Sequence, residues 1–172
     1  MHIPDDVVDA TWRSVGALDP AAMRRVQRSS GKDQEDLMAF VIAWNSEQRS
    51  QVLGLGLYLA LVILESFRRG PVRRVKRVKE RRILQLLREN QVLIAGLPDS
   101  PEEGSAILMD SEIVSEPAIM EYILSALAEI GPDEALDLSD DEFWHLVLVL
   151  KTFTDALHEA SHPVGYGQVG AV

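Results

Sequence analysis

The stretch from Val52 to Leu64 is apolar at nearly every position, broken only by Gly54 and Gly56 and closed by Glu65. It is too long for an ordinary strand, and its 13 residues fall short of the roughly 20 that a membrane-crossing helix needs. A helix that is apolar on every side has to be enclosed by other helices. The stretch around residues 143–157 has the same character. Two such segments in one chain point to a helical bundle with two central members covered by amphipathic ones.

The punctuation between these segments is that of helices joined by short turns. Asp5 or Asp6 is placed to cap a first helix, with Val7, Val8, Trp12 and Val15 along one face. Asp19-Pro20 gives a capping side chain followed by proline at the first helical position, and Ser29-Ser30-Gly31 is the expected break after it. Leu37, Phe40, Val41 and Trp44 recur at helical spacing from about Asp33. The apolar helix follows from about Glu47 to Arg69 and ends at Gly70-Pro71. Glu116-Pro117 opens a further helix, stopped at Gly131-Pro132. Ser139 and Glu142 have the spacing of a capping box ahead of a last helix that reaches about Ala160. No stretch alternates apolar and polar residues over strand length with hairpin turns between.

The expectation is an all-α bundle of about six helices forming a single domain over residues 1–160. Within it, 97–115 reads as a loop or poorly ordered connection, because Pro98, Pro101 and Gly104 interrupt the pattern. Residues 161–172 read as a flexible tail. Leu37–Ile42 echoes Ile119–Leu124, and Ile63–Phe67 echoes Phe153–Leu157, which suggests a duplicated helical hairpin. Pro117-Ala118-Ile119-Met120-Glu121-Tyr122, with Leu150-Lys151-Thr152-Phe153-Thr154-Asp155-Ala156-Leu157, resembles a family of uncharacterised bacterial all-helical proteins. The likeness lies in apolar spacing and a Leu-Lys-Thr core over the C-terminal third. It implies a helical fold and brings no activity or site with it.

Charge divides the chain sharply. Ten of its 17 basic residues lie between Arg68 and Arg88 with one of its 27 acidic residues, Glu80. From Asp99 onward Lys151 is the single lysine or arginine. Val72, Val75, Ile83, Leu86 and Leu87 fall within one arc of a helical wheel, so the basic run reads as an amphipathic helix from Val72 to about Asn90. Arg73, Arg74, Arg77 and Arg81 are the candidate interaction surface on it. Acidic helices of the same fold or of a second subunit would attract such a face, as would nucleic-acid phosphates or anionic lipid. The run holds no aromatic residue to stack on a base, which disfavours nucleic acid.

Evidence for catalysis is thin. The chain has no cysteine, which removes thiol catalysis, disulfides and cysteine-ligated metals and fits a reducing, cytoplasmic setting. The first residues lack the order of a signal peptide. His158-Glu159-Ala160-Ser161-His162 matches the H-E-x-x-H pattern, in which histidines one helical turn apart chelate zinc and the glutamate activates bound water. Pro163 directly after it would break the presenting helix, and Gln168 stands where a third ligand would be needed. His158 and His162 therefore remain candidates for metal without an expected cofactor. Glu142/His145 and Glu159/His162 repeat a Glu-x-x-His spacing, but about 25 Å of helix separates them. Asp141 and His145 are spaced for a local pair. Glu65 and Asp155 each close an apolar stretch, where pairing with a nearby arginine or exposure to water is expected.

The sequence thus favours a non-enzymatic helical interaction or regulatory module with a protein partner or self-association. Nucleic-acid binding through 68–88 and a zinc hydrolase at 158–162 are the alternatives.

Overall fold

The computed structural model describes residues 1–72, 74–129 and 137–162. Eight helices lie among them, and no strand does. They are α1 (Asp5–Gly16), α2 (Pro20–Asp33), α3 (Glu35–Asn45), α4 (Ser50–Arg69), α5 (Glu80–Ala95), α6 (Pro101–Asp110), α7 (Pro117–Ala128) and α8 (Asp140–Ser161). The all-helical expectation holds, with two more helices than the sequence pattern suggested.

Helices α4 and α8 pack against each other at the centre, as their all-round apolar character requires. Leu59 to Leu64 of α4 are all buried, as are Leu146, Val147 and Val149 to Thr154 of α8. By length and composition α4 could also cross a bilayer. Here it is the spine of the core, with α1 and α3 packed on it, while α5 and α7 pack on α8. In each of the two similar hairpins the lighter helix packs on its apolar partner, α3 on α4 and α7 on α8.

Local capping side chains set three of the eight helix starts, those of α2, α6 and α8. Asp19 accepts the Ala22 N–H at 2.7 Å, with Pro20 at the first helical position. Ser139 and Glu142 make both bonds of a capping box. Asp5 and Asp6 lie inside the first turn of α1, beyond its cap at Pro4, where their charge opposes the positive end of the helix. Ser29-Ser30-Gly31 does not break α2. Ser30 is buried and its hydroxyl donates to the Val26 carbonyl inside the helix, which runs on to Asp33.

Two departures matter for function. The expected loop at 97–115 contains α6, started by Ser100, Pro101, Glu102 and Glu103. Its Gly104 is the seat for the Trp144 ring, since a Cβ there would stand 2.3 Å from Trp144 Cζ2. The basic segment, in turn, is not one helix. Residues 74–79 form an extended strap, and helix resumes at Glu80. Like charges three or four residues apart, such as Arg74 with Arg77 and Lys76 with Lys79, oppose a helix here. Glu80 is the first acid of the run and favours a helix N-terminus, and its own N–H is capped by Asp36 at 3.0 Å. The Gly131-Pro132 stop, Arg73, Pro163, Gln168 and the tail from 163 lie outside the described residues.

Candidate functional site

The strap is fixed by its main chain. Gln34 is 2 % exposed, and its side-chain amide imitates a neighbouring strand. Its Nε2 donates to the Lys76 carbonyl at 2.9 Å, and its Oε1 accepts the Val78 N–H at 3.0 Å. On the other side, Lys76 N–H donates to the Ala160 carbonyl of α8 at 3.2 Å. Val78 is buried, while Val72 and Val75 are half-buried against the core. The valines of the expected helical arc thus do face inward, but from an extended chain held between α3 and α8.

With the backbone pinned, the polar side chains of the strap, Arg74, Lys76, Arg77 and Lys79, are all exposed, as is Arg81 in the first turn of α5. Arg77 donates to the Lys32 carbonyl at the end of α2. None of the five makes an ion pair among the described residues, although the anionic body was the expected counter-charge. Two flanking cations do find carboxylate partners within the chain. Arg68 pairs with Glu65 and Asp33, and Arg82 forms a two-point bond with Glu159 at 2.6 and 2.8 Å. That bond holds the Glu159 carboxyl below its ordinary value.

Helix α2 enlarges the cationic region. It exposes Arg24, Arg25, Arg28 and Lys32, with Asp33 its single acid, and it ends against the strap. Sequence distance concealed this, since some 40 residues separate the two segments. Between them and α4 lies a groove of about 760 Å³ bordered by Arg68, Arg74 and Arg77, with Leu64, Phe67, Val72 and Val75 below.

The H-E-x-x-H segment does not assemble as a zinc motif. Glu159 is turned away to Arg82. His162 caps the end of α8, and its Nδ1 lies 3.0 Å from both the His158 carbonyl and the Ser161 hydroxyl. Its Nε2 meets the Met1 carbonyl. The two rings stack with centroids 4.3 Å apart, and they do not converge on a shared point. His158 instead approaches Glu116, with Nδ1 at 2.8 Å from one carboxylate oxygen. The other oxygen accepts the Ile3 N–H at 2.8 Å and lies 3.8 Å from His2 Nδ1. Nothing in the linear spacing joins positions 2, 116 and 158.

The remaining singled-out carboxylates are structural. Glu65 pairs with Arg68, as expected for an acid closing an apolar run. Asp155 pairs with a buried lysine, Lys151, rather than with an arginine. His145 does not pair with Asp141; its Nε2 lies 2.9 Å from Asn45 Oδ1, and burial depresses its pKa. Glu142 is held by Arg49 and by the Ser139 N–H at about 2. Comparison with known proteins finds no matching family model, no matching curated protein and no matching solved structure.

Proposed function

We propose that this chain is a non-enzymatic helical interaction module that engages an acidic protein surface through residues 74–81. The observation that carries this is the contrast between paired and unpaired cations. Arg49, Arg68, Arg82 and Lys151 each satisfy a carboxylate of the same chain, whereas Arg74, Lys76, Arg77, Lys79 and Arg81, together with Arg24, Arg25, Arg28 and Lys32 of the adjoining α2, have none among the described residues. Their counter-charge is supplied from outside. A backbone already fixed by Gln34 reduces the ordering cost of binding. The apolar floor beside the strap suits an acidic segment with apolar side chains better than a sugar–phosphate backbone.

A second copy offers one surface of the required kind. A groove of about 870 Å³ between α1, α4 and α7 carries Asp5, Asp9 and Glu121 around Trp12, Tyr58 and Tyr122. Cations are attracted both to such carboxylates and to the faces of aromatic rings.

A labelled peptide of alternating glutamate and leucine tests the proposal in a fluorescence titration at low salt. Wild type should bind it, and the triple variant Arg74→Glu, Arg77→Glu, Arg81→Glu should not. Equal binding by both would refute the proposal. Tighter binding of duplex DNA than of the peptide would transfer the strap to the nucleic-acid reading.

A further inference from the structure

We infer that His2, Glu116 and His158 form a binding site for a divalent transition-metal ion of the zinc class, independent of the strap. Glu116 stands at the N-cap of α7, yet its side chain makes no bond to that helix. It turns inward and is wholly buried. A buried carboxylate is tolerated when a positive charge and hydrogen bonds compensate it. The Ile3 N–H supplies one hydrogen bond at 2.8 Å. No lysine or arginine among the described residues lies within ion-pairing distance of Glu116. The groups that do are two imidazoles, His158 at 2.8 Å and His2 at 3.8 Å.

Two imidazole nitrogens and a carboxylate oxygen are a common zinc donor set, and three protein ligands leave a fourth position for water. One ligand atom from each residue lies within 4.8 Å of the other two. Ligands at zinc distances sit roughly 3.3 Å apart around a tetrahedral ion, so a small movement of one side chain brings the three together. The movable one is His2, whose side chain is 60 % exposed and gives the ion a path from solvent. Glu116 and His158 are held by α7 and α8. On binding, the ion takes the place of the hydrogen bond between His158 Nδ1 and Glu116, and the neutral ring carries its one proton on Nε2.

This site uses one histidine of the H-E-x-x-H segment and neither of its other ligating residues. It also ties the N-terminal segment, whose Ile3 is buried in the core, to the last helix. The test is calorimetric titration of the chelator-treated full chain with zinc, read alongside its melting temperature. Wild type should bind one ion per chain and melt higher when loaded. His158→Ala and Glu116→Gln should abolish stoichiometric binding. His2→Ala, a change at an exposed position that leaves the fold intact, should weaken it by about tenfold or more. His162→Ala and Glu159→Gln should bind as wild type. Absence of a one-to-one isotherm in wild type would overturn the inference, as would unaltered binding in His2→Ala or loss of binding in His162→Ala.

Discussion

The Lys151 ammonium lies 2.7 Å from the Asp155 carboxylate one helical turn later, with the lysine side chain 4 % exposed in the centre of the bundle. Around this pair, Asn90 of α5 accepts from Lys151 at 2.9 Å and donates to both Asp155 and Thr152. Ser115, just before α7, donates to the second Asp155 oxygen at 2.6 Å. The network thereby fixes α5 and the α6–α7 connection to one register on α8. Every buried polar side-chain atom among the described residues has a partner. Asp155→Ala would leave a buried ammonium without its counter-charge, and it should lower unfolding stability by about 3–5 kcal/mol. The double change Lys151→Met, Asp155→Leu should recover most of that loss. Denaturant unfolding of the three proteins checks both statements.

Three helical glycines should respond to alanine with different signs. Nothing lies within 4 Å of a Cβ built at Gly54, so Gly54→Ala should stabilise α4 by about 1 kcal/mol through helix propensity. At Gly56 the Cβ would press on Asn45 Nδ2 at 2.9 Å and Leu146 at 3.2 Å, where α4 passes close to its neighbours. Gly104 is tighter still, with the Trp144 ring and the Pro98 carbonyl all inside 3.0 Å. Gly104→Ala should therefore destabilise despite its better propensity. Thermal melts of the three variants should order them Gly54→Ala above wild type and Gly104→Ala lowest.

Acid should weaken the fold in two separate windows. His145 is held neutral by burial with its pKa below the ordinary 6.5, so the unfolded chain binds the extra proton first. Its contribution is complete above 6.5 and is lost as pH falls below that value. Glu142, lowered from 4.5 to about 2 chiefly by Arg49, contributes above 4.5 and loses that contribution between 4.5 and 2. Melting temperature against pH should fall in both ranges. His145→Gln should flatten the upper one while leaving the lower unchanged, and an unaltered upper slope would contradict the assignment.

Helix starts were legible because caps are local chemistry. Asp19-Pro20 and the Ser139–Glu142 box are each complete within four residues, and Pro117 marks the start of α7 although Glu116 does not cap it. Ser100-Pro101-Glu102-Glu103 carries the same signal, but Gly104 and the neighbouring prolines obscured it until Trp144 supplied the reason for the glycine. The strap was not legible. Val72, Val75 and Val78 recur at helical spacing, yet in the strap only Val78 is fully buried. The choice is made by Gln34, more than 40 residues away. The H-E-x-x-H segment points to His158, yet its neighbours Glu116 and His2 stand far from it in the sequence.

The most direct measurement of the strap's role is the salt dependence of acidic-peptide binding, compared across single charge removals. Exposed unpaired cations contribute through screened attraction, so each one removed should make log affinity fall less steeply with log salt. Arg74→Gln, Lys76→Gln and Arg81→Gln should each weaken binding and flatten the slope. The double change Arg82→Gln, Glu159→Gln removes a pair that is already neutral and should leave both unchanged. A slope that responds to this double change as strongly as to Arg74→Gln, or to none of these variants, would contradict the strap as the binding surface.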